Sequence, residues 1–188
     1  MNSDIVITSG IHGDEPAGVY ASYLINKLYP KIPIYPLLNP IAFVNNSRRL
    51  HRKDLNRQFD KDDKLANTIL KKILSHNPAI VINLHEDIDK DCCYAYCEPN
   101  LKDVTQKALI EMRRYIKGIP TSVYNDTSYD GVITSGRIPP AGSLENELIK
   151  YNINYITLET PTNKDMKLRI KSLIVGVDYL IKNLSETL

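Results

Sequence analysis

The sequence predicts an α/β domain, and three observations carry that expectation. Apolar runs bounded by turn residues alternate with helix-length amphipathic stretches along the chain. The composition, 43% hydrophobic and 24% charged, is that of a soluble globular chain with enough apolar residues to bury a core. The length, 188 residues, suits one domain and one core, and no repeat, low-complexity tract or linker divides it. The 24 basic residues barely outnumber the 22 acidic ones, which excludes the basic surplus of a nucleic-acid binder. No apolar run approaches the roughly 18 residues of a membrane span. The opening Met1-Asn2-Ser3-Asp4 lacks the basic and apolar segments of a signal peptide. A cytoplasmic location, without membrane or nucleic-acid partners, is therefore expected.

Asp4 to Ser9 reads as a buried strand. Glu15 to Leu28 reads as a helix, with Pro16 tolerated in its first turn because the missing N–H would be unpaired there. Ile32 to Leu38 is a second strand, stopped by Asn39-Pro40. Asn45 to Phe59 is polar and irregular, five of its fifteen residues being Arg or Lys, and reads as a functional loop. Asp62 to Ser75 is a helix, Ala79 to Leu84 an almost unbroken apolar strand, and Cys92 to Cys97 a short alternating one. Leu101 to Ile116 is helical. Gly118 to Pro140, rich in turn formers, is partly a surface loop. Ser143 to Lys150 is a short helix, Asn154 to Leu158 a strand, and Asp165 to Leu184 a closing amphipathic helix.

Cys92, Cys93 and Cys97 lie too close together, and in too odd a number, for a disulfide framework, and no second pair stands at zinc-finger spacing. They read as thiols on a half-buried strand. The four histidines, His12, His51, His76 and His85, leave few combinations for a metal site. His12 and Glu15 flank the turn from first strand to first helix, the edge where open α/β sheets bind ligands. Their spacing lets an imidazole and a carboxylate meet one ion. Glu15 is equally explained as a carboxylate at the positive end of the helix. His85 leaves the strand Ala79 to Leu84 at its carboxyl end, where it can join that pair or act as a surface residue. Two His and one Glu form one known set of catalytic zinc ligands. The loop from Ser47 to Arg57 concentrates guanidinium groups suited to carboxylates, phosphates or an oxyanion, although a basic loop is more often a solvated face. Glu159 ends an apolar strand, which is costly unless its carboxylate meets water, a partner or a metal.

These pieces, in this order, resemble the zinc carboxypeptidase superfamily, most closely its succinylglutamate desuccinylase and aspartoacylase branch. The resemblance runs from about Ile5 to Pro161. It implies a three-layer sandwich with a mixed, mostly parallel sheet flanked by helices, and one zinc per chain on His12, Glu15 and His85. The segment Asp54-Leu55-Asn56-Arg57 with Phe59 is similar to the family motif in which Asn and Arg bind the substrate carboxylate, which implies that role for Asn56 and Arg57. Arg49, seven residues before Asn56, matches the Arg that polarises the scissile carbonyl, and Glu159 in Thr157-Leu158-Glu159-Thr160 matches the catalytic glutamate. Asp87 is then a residue that orients a ligand from behind.

Gly142-Ser143-Leu144-Glu145 is similar to the segment lining the side-chain pocket of carboxypeptidases. The resemblance implies that Leu144 sets side-chain preference and disfavours a strongly basic substrate residue. Arg137 stands where carboxypeptidases carry a substrate-covering Tyr, with Tyr124 and Tyr129 nearby. The sequence ends one helix after the catalytic strand, without the branch's C-terminal β-rich domain, so an open cleft suited to peptide ends is expected, with His51 and His76 left as surface residues. The expected function is a zinc metallohydrolase with Glu159 as general base. Its substrate is a small carboxylate-bearing molecule: a peptide C-terminus, cell-wall peptides included, or an N-acyl amino acid. The alternative is a metal-binding regulatory domain of the same fold with little turnover. A phosphate site on the Arg loop ranks last, because no glycine-rich phosphate loop accompanies it.

Overall fold

The structure, a computed structural model, describes residues 4–120, 122–123, 126–134 and 139–184. In chain order the elements are β1 (Ile5–Ser9), α1 (Pro16–Leu28), β2 (Ile34–Tyr35), α2 (Pro40–Val44), β3 (Arg49–Leu50), β4 (Lys53–Asp54), α3 (Lys64–Leu74), β5 (Ile80–Asp87), β6 (Tyr94–Cys97), α4 (Lys102–Met112), β7 (Ser122–Val123), β8 (Asp126–Thr127), β9 (Val132–Thr134), α5 (Leu144–Lys150), β10 (Asn154–Pro161) and α6 (Met166–Asn183). The main sheet has the order β2-β1-β5-β10-β6-β9. Its first four strands are parallel, β6 runs antiparallel to β10, and β9 runs parallel to β6. This is the mixed, mostly parallel sheet that the resemblance implied.

Side-chain alternation in the central strands builds the layers. Ile5 and Ile7 of β1, Ile80, Ile82 and Leu84 of β5, and Ile156 and Leu158 of β10 pack against α1, α4 and α6. Val6, Val81 and Tyr155, one position out of phase, pack against α3 and α5 on the other face. Strands with helices on both faces are apolar at nearly every position, which is why these read as continuous runs. Each fully buried Ile or Leu contributes on the order of 1.5–3 kcal/mol, so a charge at Ile82, fully buried at the sheet centre, would undo the core. No helix among the described residues is long and apolar enough to cross a membrane.

The expected helices form close to their predicted bounds. Asp63 caps α3 by accepting from Leu65 N and Ala66 N, and Asp165 caps α6 by accepting from Lys167 N. The strands depart more. β2 shrinks to Ile34–Tyr35, and Gly118 to Pro140, read as partly loop, supplies β9 to the sheet edge. Most consequentially, β5 runs on through His85, Glu86 and Asp87, and β10 through Glu159, Thr160 and Pro161. Polar residues marked the end of each apolar run, yet the ladder continues through them. The side chains of His85, Glu86 and Asp87 find partners there.

Candidate active site

The alternation that sorts the core also sorts the chemistry. Continuing the phase of Val81 along β5 puts Asn83 and His85 on the α3/α5 face; continuing that of Tyr155 along β10 puts Thr157 and Glu159 on the same face. His85 pairs directly with Glu159 in the β5–β10 register. Of these, His85, Thr157 and Glu159 line a cavity of about 640 Å³ outside the carboxyl ends of the parallel strands. His12 and Glu15, from the turn between β1 and α1, close one end of it. That turn lies tight against α2: a Cβ on Gly13 would stand 2.0 Å from the Ala42 carbonyl.

Glu15 is the centre of the cluster. Its Oε1 lies 2.6 Å from His12 Nδ1 and its Oε2 lies 2.8 Å from His85 Nδ1. Glu86 N also donates to Oε2 at 3.2 Å. His12, Glu15 and His85 each offer a ligand atom, all within 4.8 Å of one another, and all three residues are buried. The outer ring nitrogens are held as well: His12 Nε2 lies 3.1 Å from Asp54 Oδ1, and His85 Nε2 lies 2.9 Å from Asn83 Nδ2. Two imidazoles and a carboxylate, braced from behind, fit a zinc-type cation by donor chemistry. Capping α1 is not the task of Glu15, which makes no cap hydrogen bond; Ala17 N donates to Glu86 Oε2 at 2.6 Å instead.

The electrostatics follow from this crowding. Burial works against a charged His12, but the Glu15 and Asp54 carboxylates outweigh it and raise its pKa to about 9. His85 is raised for the same reason, with Glu15 as its main partner. Burial likewise opposes ionised Glu15 and Asp54, yet the imidazoles hold Glu15 far below the usual carboxylate range and His12 brings Asp54 to about 2. Glu159 goes the other way. Burial raises it well above the ordinary value, His85 pulls it back, and Glu15, Asp87 and Glu145 push it up further.

The structure places the remaining sequence candidates unevenly. Asn56 and Arg57, on the 3-10 turn Leu55–Arg57, line the cavity. Arg49 does not; it sits exposed on β3. The inward guanidinium belongs to Arg48, which reaches Glu15 Oε1 at 3.1 Å and Asp54 Oδ2 at 3.4 Å. Counting along an irregular loop cannot tell which of two adjacent arginines two carboxylates will draw in. Leu144 also lies away from the cavity. Its side chain is fully buried in the α3/α5 core, and only its backbone serves the site, donating to Asn56 Oδ1 at 2.9 Å. The residues of that segment that line the cavity are Ser143 and Glu145.

Arg137 and Tyr124 lie outside the described residues. Tyr129 is exposed and stacks under Lys102, while Tyr94 and Tyr96 line the cavity. Asp87 accepts from Tyr94 OH, and the ring nitrogens that it was expected to orient meet Asp54 and Asn83. His51 is exposed, whereas His76 is engaged by Tyr35 OH at 2.7 Å. All three cysteines are buried and unpaired. Asp54, Asn83, Thr157 and Glu145 carry no sequence signal of their own. Strand phase alone could have found Asn83 and Thr157, each two residues before a predicted site residue.

The family profile of the succinylglutamate desuccinylase/aspartoacylase catalytic domain matches residues 2–160. Comparison with curated proteins gives no match. Among solved structures, a candidate metallopeptidase from Shewanella denitrificans is similar with a TM-score of 0.78 at 21% identity, over 95% of this chain and 73% of that one. A second, from Shewanella amazonensis, has a TM-score of 0.78 at 20% identity, over 96% and 76%. The mDAP-bound form of Helicobacter pylori Csd4, a D,L-carboxypeptidase, has a TM-score of 0.70 at 15% identity, over 96% of this chain and 50% of Csd4. At such identities the likeness is one of fold.

Proposed function

The chain belongs to the succinylglutamate desuccinylase/aspartoacylase catalytic domain family, and on that premise we propose that it is a zinc-dependent hydrolase acting on an amide bond beside a carboxylate-bearing residue. The observation that carries this reading is the buried His12–Glu15–His85 cluster with Glu159 directly opposite His85. His12, Glu15 and His85 would hold the zinc, which when bound would supply Lewis acidity toward water and the scissile carbonyl. Glu159 is the general base: it removes a proton from the attacking water and returns it to the leaving amine. Burial and neighbouring carboxylates raise its pKa, the direction expected of a carboxyl that must both take and give a proton.

Arg48 takes the oxyanion role in this reading, supported by its contacts with Glu15 and Asp54 at the cavity mouth. Arg57 and Asn56 receive the substrate carboxylate. Arg57 donates to the Asn56 carbonyl, and Asn56 Oδ1 accepts from Leu144 N, so the pair is pre-oriented by bonds within its own turn and to α5. A cavity of this volume, with Tyr94, Tyr96 and Ile133 on its walls, suits the end of a peptide. Csd4, a neighbour in fold, has been solved with a tripeptide, which favours a peptide C-terminus over an N-acyl amino acid as the first substrate to try.

The direct experiment combines metal analysis of the purified protein with hydrolysis assays on C-terminal peptides and N-acyl amino acids. About one zinc per chain and release of the carboxylate-bearing residue are expected. A folded, metal-free protein that releases no residue from any member, even after zinc is added, overturns the reading.

A further inference from the structure

Glu145 is the cavity residue that the reaction leaves unused. Ser143 caps α5 by accepting from Asn146 N, and Leu144 turns its side chain into the core. The next helical position, about 100° further round, turns Glu145 into the cavity. The chain before it is pinned: Phe59 N donates to the Gly142 carbonyl at 2.9 Å, and Gly142, at φ +75°, packs so closely on the Arg57 carbonyl that a Cβ there would lie 2.8 Å from it. The α5 start and the Asn56–Arg57 turn therefore hold Glu145 at a set place beside the carboxylate anchors.

Its carboxylate is buried, 7% exposed, and held by neutral donors. Oε1 accepts from Asn83 Nδ2 at 2.8 Å and from Thr157 Oγ1 at 3.0 Å, and among the described residues the side-chain donor to Oε2 is Asn56 Nδ2 at 3.5 Å. Among the described residues no Lys or Arg forms an ion pair with it, unlike the buried Glu15 and Glu86, which pair with Arg48 and Arg169. An ionised carboxylate offers about four lone-pair sites, so the Oε2 side retains capacity toward the cavity. Burial opposes its charge, and the neighbouring His85 and these hydrogen bonds nevertheless hold its carboxyl below the usual range; a cation brought by a ligand to the Oε2 side would add to that stabilisation.

We propose that Glu145 is the specificity-determining residue of the cavity, selecting substrates whose released residue carries a cationic amine on its side chain. The inference rests on the reading of this cavity as the substrate site of a hydrolase. Asn56 and Arg57 hold the carboxylate of that residue, Tyr96 and Tyr155 cover its aliphatic stem, and Glu145 Oε2 receives the ammonium group. It reverses the preference that an apolar Leu144 implied, because the side chain presented to the cavity is the next one along.

The test compares lysine with norleucine, which keeps the stem and lacks the charge, and with glutamate, each in both configurations. Binding of the free amino acids to zinc-loaded protein is measured by calorimetry, and kcat/KM is measured on peptides ending in each. A charged hydrogen bond in a buried site predicts about a 10- to 100-fold preference for lysine over norleucine, falling toward one in Glu145→Gln. Norleucine or glutamate taken as well as lysine by the wild type overturns the proposal, whatever the variant does. If Glu145→Gln instead loses zinc and depresses lysine and norleucine equally, Glu145 is a positioning residue acting on His85 through Asn83, and the proposal fails. Lysine-selective binding without hydrolysis of any peptide upholds Glu145 as the selector and overturns the hydrolase reading alone.

Discussion

His85 and Glu159 stand opposite each other on adjacent parallel strands, β5 and β10, in a ladder that keeps one register from Ile80–Asn154 to Asp87–Pro161. A proposed metal ligand and a proposed base are thus set against each other by backbone hydrogen bonds rather than by loop conformation, the kind of rigid support on which catalytic geometry depends. Replacing Glu159 with Gln keeps the shape of the side chain and removes its basicity. Turnover is expected to fall by about 100- to 10,000-fold, with zinc content by atomic emission unchanged. Retained turnover would move the base elsewhere.

The ligand cluster makes a separate prediction. His85→Ala removes one of three donors and should abolish stoichiometric zinc in the purified protein. Asp54→Asn leaves all three proposed ligands and weakens the support behind His12 Nε2 together with the ion pair to Arg48, so zinc affinity should fall by about 10- to 100-fold without being lost. Competition with a chromophoric chelator measures both.

The two adjacent arginines can be separated in one experiment. Arg48→Met is expected to lower kcat by about 100- to 1,000-fold, the usual cost of one oxyanion donor, while Arg49→Met, altering an exposed side chain on β3, should stay within about twofold. The reverse result would return the role to the residue that motif spacing indicated.

Behind the site, the Glu86 carboxylate joins three elements: Oε1 meets the Arg169 guanidinium of α6, and Oε2 accepts from Ala17 N at the start of α1. Arg169→Met leaves a buried anion unpaired and should cost about 3–5 kcal/mol in urea unfolding, much of it recovered when Glu86 is replaced by Leu as well.

The cysteines predict an alkaline limit to stability. Burial raises Cys93 from 9.0 to about 12 and Cys97 from 9.0 to about 11. Between about pH 9 and those values the unfolded chain has lost thiol protons that the folded protein keeps, so the folded state binds more protons and its stability falls as pH rises. Native protein at pH 8 should therefore react slowly with a thiol reagent and release its full titre only in urea. Fast labelling of all three native thiols would contradict the burial.

Much of the fold was legible because its signals are local. The apolar runs of β1, β5 and β10 mark strands buried on both faces, and capping residues such as Asp63 and Asp165 mark helix starts to within a residue or two. That His12, Glu15 and His85 come together was legible for a related reason: residues at the carboxyl ends of adjacent parallel strands share one crevice. The polar extensions of β5 and β10 were not, because a ladder is satisfied by its neighbours in space, and hydropathy does not report those. The short β9 was hidden for the same reason, since only the edge of β6 makes it a strand.

By itself the sequence determined an α/β domain with His12, Glu15, His85 and Glu159 at strand ends, because periodicity and strand polarity are properties of neighbours in the chain. Only the tertiary structure decided that Arg48 turns inward and Arg49 does not, and that Leu144 fills the core while Glu145 faces the cavity. Both choices fall between adjacent residues of similar local propensity. They are made by what lies across the fold: two carboxylates that draw in one guanidinium, and an α3/α5 core that takes the one apolar side chain and leaves the acid to the cavity.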